Sequence, residues 1–353
     1  MLAVALSAVL INLEWGLLFG IFAATSIPID HTPADVWVGA PAVPSVDAGR
    51  SISTTHLSRL ANQPEVAAAA LYVLAYATWV RADSSKEACI IIGTQPFDRS
   101  PGTVDELTPD LRWRLTEPGS VVVDEADCET LGIRGAGATG EVNGHRVRVV
   151  GTVHGLKGLS GPFLFCSLDT ARQLTGLSPD QTTYVVAQCR QPADASAVVE
   201  RLGRYTDVAA FTAPAFSLQT RIHWLTKTHG GIATAFTAGL ALLVGLVITR
   251  QTLYAATVTS LREYALLRAL GIPRRRIVLY VLAQACGVGV AGVILALPLV
   301  LALGRLAELL GLPMLLPWWL MGTVLAVTVV MAMLSGLATL RVLRLMEPIS
   351  LLR

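Results

Sequence analysis

Membrane-length apolar runs, one at the start of the chain and three beyond residue 229, constrain this sequence more than anything else in it. Leu2 to Ile27 carries a single charge, Glu14, and Gly230 to Thr249 carries none over 20 residues, enough for a helix that crosses a bilayer. Ile277 to Gly304 is uncharged for 28 residues and is interrupted by Pro298, where a bend or end of the helix is expected. Leu309 to Leu340 is also uncharged. Its Pro313, Pro317, Trp318 and Trp319 read as an interfacial entry, with the helix proper beginning near Pro317. A mean hydropathy of +0.58 with only 15% charged residues fits a membrane protein, since soluble domains carry about 25%.

Charge then sets the orientation. Arg250, Arg262, Arg268, Arg274, Arg275 and Arg276 lie between the second and third runs, and Arg341, Arg344 and Arg353 follow the fourth, so both places are expected in the cytoplasm. The polar middle, Pro28 to Thr228, holds 17 basic against 21 acidic residues and falls outside the cytoplasm. No basic stripe lies on this soluble part, which argues against nucleic acid as a partner. The first run is longer than the roughly 7–15-residue apolar core of a signal peptide and is read as an anchor.

The expected fold is therefore a membrane protein with four transmembrane α-helices, one plus three, and a large mixed α/β extracytoplasmic domain inserted after the first. Residues 1–27, 229–259, 277–304 and 317–341 are the expected transmembrane helices. Residues 28–228 are the outer domain, 260–276 a cytoplasmic helix and loop, 305–316 a short outer loop, and 342–353 a cytoplasmic tail. Within the middle region the strand candidates are Ala34 to Gly39, Ala88 to Gly93, Ser120 to Val123, Gly140 to Val153 split by the Asn143-Gly144 hairpin signal, Phe163 to Ser167 and Thr183 to Gln188. Helices are expected over Asp169 to Leu174 and Asp194 to Tyr205, an order that suggests βαβα units. The connectors Gly39 to Gly49 and Gly155 to Gly161 read as surface loops or as separators of two lobes.

Chemistry-bearing motifs are sparse. There is no P-loop, so ATP hydrolysis must come from another subunit, and no G-x-S-x-G, H-E-x-x-H or C-x-x-C. The six histidines lack ligand spacing, so neither a metal nor a cofactor is expected. Cys89, Cys128, Cys166 and Cys189 fall in the oxidising compartment, where four thiols allow three pairings or remain free. Cys286 sits in the third run and is expected to stay unpaired. Glu14 is the one intramembrane carboxylate; placing a charge there costs about 2.5–3.5 kcal/mol, so it is expected to face a partner or hold helices together, with a proton relay as the alternative.

The most informative short stretch is Ser260 to Ile277. Leu266, Leu267 and Leu270 form an i, i+1, i+4 apolar stripe; Arg262, Glu263 and Arg268 surround it, and Gly271 permits a left-handed cap. Such a helix is either a knob docked in a groove of a cytoplasmic partner or an interfacial helix lying among headgroups of the membrane lipid.

The segment Arg262 to Gly271 followed by Arg274-Arg275-Arg276-Ile277 resembles the "REIxLLRAxG…RRxI" coupling segment of the FtsX-like, MacB-type permeases of ABC transporters. Glu347 to Arg353 resembles their "PxxxLR" close, Asp30 to Val38 their "ADxWV" entry to the outer domain, and Val122 to Glu125 with Leu131-Gly132-Ile133 and Val147 to Val153 the core of that domain. Within the family the chain is most similar to the DevC-type exporter subunits, although Glu14 stands where those often carry Gln. The resemblance implies an inner-membrane, non-catalytic subunit that works as a homodimer with a separate ABC ATPase and a periplasmic adaptor, transmitting motion from the cytoplasm to its outer domain for export. It assigns ATPase coupling to Arg262, Glu263, Leu266, Leu267, Arg268, Leu270 and Gly271. A second reading is an FtsX-like transducer that controls an extracytoplasmic cell-wall enzyme without transport, and a membrane-tethered hydrolase lacks a nucleophile and base.

Overall fold

The structure, a computed structural model, describes residues 2–96, 100–259, 270, 273–309 and 312–345. The chain divides into two compact units, one formed by Ile21–Thr228 and the other by Met1–Gly20 with His229–Arg353.

The first unit is built on strands β1 (Val36–Gly39), β2 (Ile52–Ser53), β3 (Val66–Val80), β4 (Lys86–Thr94), β5 (Ser120–Asp124), β6 (Thr139–Val142), β7 (His145–Val153), β8 (Phe163–Ser167), β9 (Gln181–Thr182), β10 (Tyr184–Cys189) and β11 (Ala209–Thr212). Nine of them form one mixed sheet in the order β11-β1-β10-β3-β4-β8-β5-β7-β6, while β2 and β9 pair by themselves. The far end of β3 also pairs with β6 through Trp79 and Val80, so six strands close into a ring. β4–β8 and β5–β7 are parallel and the other ladders antiparallel.

The central strands are buried on both faces, which is why they read as near-continuous apolar runs. Alternate residues feed two separate cores. Val36, Val38, Ile91, Val121, Val123, Leu164 and Val185 point into one, closed by Leu168, Ala171 and Leu174 of a helix after β8 and by Val198 and Leu202 of a helix after β10. Trp37, Ile90, Ile92, Val122, Phe163, Phe165 and Tyr184 point into the other. That core is closed by Ala24, Ile27 and Ile29 from the end of the first helix and by Phe216.

Helix α1 (Leu2–Asp30) leads into β1. Smaller helices follow: α2 (His56–Ala61), α3 (Pro109–Arg114), α4 (Cys128–Leu131), α5 (Leu168–Thr175) and α6 (Ala195–Leu202). Ser167 caps α5 through its side chain, and Gly176 closes it in the left-handed conformation. Asn143 and Gly144 both take positive φ, as a two-residue hairpin turn requires. The expected βαβα order is realised with insertions: β8 and β10 run in the same direction across α5 but are separated by β4 and β3, and β10 and β11 flank β1 across α6. The connectors at 39–49 and 155–161 do not separate lobes, because one sheet runs through the unit.

The longest strand, β3, is absent from the sequence reading. Val66–Val80 is rich in Ala and Leu, which favour helix, and only its ladders to β10, β4 and β6 hold it extended.

In the second unit, residues 2–20 of α1 pack with helices α8 (His229–Thr259), α9 (Arg274–Leu309) and α10 (Trp318–Leu345), the last two meeting α1 through Val293, Ala296, Val300, Leu320 and Val324. Among the described residues three helical stretches are long and apolar enough to cross a membrane, Leu2–Asp30, His229–Thr252 and Leu282–Ala307, and Trp318–Met331 is a shorter apolar one. α9 runs through Pro298 without ending there, contrary to one of the two outcomes expected of that residue; a lost backbone bond is tolerated where the surrounding turns stay paired. α10 begins at Trp318, directly after Pro317. The 312–317 segment lies against α1. Leu315 N donates to Gly16 O, and a Cβ on Gly20 would stand 2.0 Å from the Pro313 carbonyl oxygen.

Two stability predictions follow from the first unit. A Cβ at Gly140 would lie 2.1 Å from the buried Trp79 ring, whose Nε1 donates to Leu131 O. Gly140→Ala is therefore expected to destabilise by about 1–3 kcal/mol through overpacking, read as a lowered Tm of the solubilised chain. Asp127 is buried, its Oδ2 has no partner among the described residues, and burial with the nearby Asp124 pushes its carboxyl up to about 7 against the opposing Lys157. The folded state thus favours the neutral form, so stability is greatest near and below the ordinary carboxylate range and falls as pH rises through about 7. Unfolding midpoints between pH 5 and pH 8 are expected to fall for the native chain and to flatten for Asp127→Asn.

Candidate functional site

The best-defined site is a clamp where the chain enters and leaves the first unit. β1 and β11 are antiparallel neighbours, with Val36 opposite Thr212. β1 follows α1 after a short link, and β11 runs directly into α7 (Ala213–Lys227). This pairing brings the outer end of α1 and the start of α7 together. Asp35 fastens the corner: its backbone carbonyl accepts from Ala213 N, and its Oδ2 accepts from Cys189 N at 2.8 Å.

α7 is held along one ridge of residues spaced by four. Phe216 is fully buried among Trp37, Tyr184 and Phe211, stacked on the last with ring centroids 4.8 Å apart. Thr220, one turn on, accepts from Val46 N at 3.1 Å, and Gln219 donates to Val43 O at 2.7 Å. Trp224 Nε1 donates to Asp47 Oδ1 at 3.2 Å, and the Tyr76 hydroxyl on β3 donates to the other oxygen of Asp47 at 3.1 Å. Asp47 thus ties α7 to the long strand. Burial, with that carboxylate beside it, pushes the Tyr76 hydroxyl up to about 12 and keeps it a donor.

A second bond set fixes α7 to α1. Arg221 Nη2 meets Asp30 Oδ2 at 2.6 Å, its Nε donates to Ser26 Oγ at 2.8 Å, and Ser26 donates to Asp30 at 2.6 Å. An acidic side chain at a helix C-terminus is unfavourable against the helix dipole, and the guanidinium offsets that. A small cleft adjoins the clamp, lined by Thr25, Asp47, Leu74, Phe163 and Trp224 among others. At Thr228 the backbone turns extended, φ −97° and ψ 143°, and α7 ends. The joint role of Asp30, Asp47, Phe216, Thr220 and Arg221 was not anticipated from the sequence. The i+4 spacing of Phe216, Thr220 and Trp224 was the available signal.

The family model for the MacB-like periplasmic core domain matches residues 1–205, and that for the FtsX-like permease C-terminal matches residues 235–348. The chain belongs to the FtsX-like permeases with a MacB-like periplasmic core. Among solved structures it is similar to the extracellular domain of the noncanonic ABC-type transporter YknZ from Gram-positive bacteria, at 11% identity over 51% of this chain and 100% of that one, TM-score 0.37. It is also similar to the periplasmic region of MacB from Actinobacillus actinomycetemcomitans, at 15% identity over 57% and 97%, TM-score 0.38. No curated protein matches the chain.

This permease is a membrane component of the ABC transporter type, a family that associates with an ABC ATPase; it resides in the inner membrane with its large domain on the periplasmic side. Of the expected coupling residues, Arg262, Glu263, Leu266, Leu267, Arg268 and Gly271 lie outside the described residues, and Leu270 is exposed. Glu14 lies on α1 and accepts from Thr237 Oγ1 of α8 at 2.9 Å. Cys89, Cys128, Cys166 and Cys189 are all free thiols, and so is Cys286. Of the two alternatives left open for these thiols the structure shows the free one, and for Cys89 and Cys166 the strand register gives the reason. On the parallel β4–β8 ladder Cys166 pairs with Gly93, four residues beyond Cys89, a separation of roughly 13 Å where a disulfide needs less than about 7 Å between Cα atoms. Burial pushes the Cys89 thiol up to about 12, which makes it unreactive.

Removing the clamp tests whether it stiffens the root of α7. In Arg221→Ala plus Trp224→Ala, amide exchange over residues 220–227 is expected to quicken by about fivefold or more, while the strands around Ile91 and Val122 keep their protection. Arg221→Lys alone, keeping one charged donor, is expected to stay within about twofold.

Proposed function

We propose that this permease is the transmembrane subunit of a mechanotransmission exporter of MacB or DevC type: a four-span homodimer that binds a separate ABC ATPase and a periplasmic adaptor. ATP-driven closure of the ATPase pair pushes the segment around Arg262 to Gly271, where Leu266, Leu267 and Leu270 dock and Arg262, Glu263 and Arg268 make polar contacts. Motion then reaches the outer domain, and substrate is moved outside the membrane. Trp318–Leu345 serves as the fourth span in this reading.

The observation that supports it is the double attachment of α7, to α1 through Arg221 and Asp30 and to the sheet through Phe216, Thr220 and Trp224. A displacement applied to α7 cannot stay local. It pulls on β11 and β1, which are paired with each other, and through Asp47 on β3, the strand shared by the open sheet and the closed ring. Packed, hydrogen-bonded elements of this kind move as bodies.

Co-purification with the cognate ATPase is the first test. A stable complex is expected, with Glu263→Ala plus Leu267→Ala weakening it at least about tenfold, the scale of a lost interface anchor. The Arg221→Ala plus Trp224→Ala variant is expected to keep the complex and its ATP hydrolysis while losing most export. Absence of any complex overturns the proposal, and retained export in the clamp variant overturns the assigned route. Intact periplasmic wall-hydrolase control without any transported substrate would favour the transducer reading instead.

A further inference from the structure

Asp47 carries a charge that the described residues do not balance. Its two oxygens accept from Trp224 Nε1 and from the Tyr76 hydroxyl, both neutral donors, and among the described residues no lysine, arginine or histidine pairs with it. Arg50, three residues on, donates to Pro41 O at 2.7 Å, and Arg221 on α7 is held by Asp30 and Ser26. A carboxylate offers about four acceptor sites, and hydrogen bonds from neutral groups leave its charge in place.

The place of this carboxylate is fixed by the backbone beneath it. Asp47 sits in a single turn of 3-10 helix, Val46–Ala48; Val46 is buried, donates its N–H to Thr220 and accepts from the Tyr184 hydroxyl at 2.7 Å. Asp47 is thereby held in the wall of the cleft beside the clamp. Trp224 and Phe163 give that cleft aromatic surface, Thr25 and Ser160 give it hydroxyls, and Leu159 is an exposed apolar part of its lining. Ser160 also donates to the Tyr76 hydroxyl, so the loop bordering the cleft is tied to the group that Asp47 holds.

A fixed carboxylate beside aromatic side chains selects for a cation. A neutral apolar ligand would strip water from the charge without replacing it, and an anion would be repelled. Asp47 is the sole Asp, Glu, His or Cys among the lining residues, too few oxygen or nitrogen ligands for a bare metal ion. An ammonium group on an apolar body meets every part of the site: charge and N–H donors for Asp47, and contact with Trp224 and Phe163 for the cation and the carbon atoms behind it. The α1 part of the wall lies in the last two turns of a 29-residue helix, about 43 Å long against a hydrocarbon layer about 30 Å thick. A lipid headgroup and a dissolved cation can both reach such turns.

We propose that this cleft binds an organic ammonium ion, with its charged group on Asp47 and its apolar body against Trp224, Phe163 and Leu159. The inference goes beyond the export reading and requires neither the ATPase nor an adaptor. Because Asp47 and Trp224 also join α7 to β3, an occupied cleft places the cation at the contact through which the clamp holds.

The test is a calorimetric titration of the full chain in maltoside micelles with benzylammonium and its neutral isostere benzyl alcohol, with empty micelles as the blank. Benzylammonium is expected to bind at least about tenfold more tightly than the alcohol, the scale of one charge-assisted hydrogen bond. Asp47→Asn, which keeps an acceptor for Tyr76 and Trp224, is expected to bring the two probes within about threefold of each other. Leu159→Arg changes an exposed side chain and sets a cation at the cleft; it is expected to weaken benzylammonium at least about tenfold whatever Asp47→Asn does to folding. In nanodiscs, displacement of benzylammonium by a lipid with an ethanolamine headgroup assigns the natural occupant to the outer leaflet, and its failure to displace assigns a dissolved cation. Equal affinity for the two probes, or unchanged benzylammonium binding in Asp47→Asn or in Leu159→Arg, overturns the proposal. None of these titrations contains the ATPase, so a failed cleft is distinguishable from a failed permease assignment, which shows as loss of the ATPase complex.

Discussion

The pairing of β1 with β11 is the constraint on which the rest depends. Those two strands are the first and last of the sheet in chain order; β1 follows α1 after a short link, and β11 runs directly into α7. Because Val36 stands opposite Thr212, the end of α1 and the start of α7 must emerge side by side. The Arg221 to Asp30 bond and the burial of Phe216 against Trp37 are consequences of that adjacency. A sheet that separated its first and last strands would have no such corner, and the two helices would move independently.

Burial of the sheet on both faces gives the corner its stiffness. One face is closed by α5 and α6, elements internal to the outer domain. The other is closed partly by the α1 residues Ala24, Ile27 and Ile29 and by Phe216 of α7. Side chains this closely packed transmit displacement instead of absorbing it. In the proposed reading the domain acts as a lever, and the contacts that carry it are hydrogen bonds and aromatic packing.

The membrane unit shows how much polar placement matters where water is absent. Glycines at 16 and 20 bring α1 against the 312–317 segment, and Gly292 admits Val4, so its helices meet through small residues, as expected where hydrocarbon surrounds them. Glu14 and Thr237 make a polar contact between α1 and α8 within that unit.

The amino-acid sequence determined the membrane character, the orientation, the place of the inserted domain and most of its strands, because hydropathy, arginine distribution and turn residues such as Asn143-Gly144 act locally. β4, β5, β8, the β6–β7 hairpin and helices α5 and α6 were legible for that reason. Tertiary structure alone decided that Val66–Val80 is a strand despite its helix-favouring alanines, that β8 and β10 are separated by β3 and β4, and that Cys89 and Cys166 stand too far apart in register to join. It also decided the clamp, since Arg221 and Asp30 are 191 positions apart and Trp224 and Asp47 are 177 apart. Contacts between distant residues depend on strand register and on which face a helix buries, and neither is written in any short window of sequence.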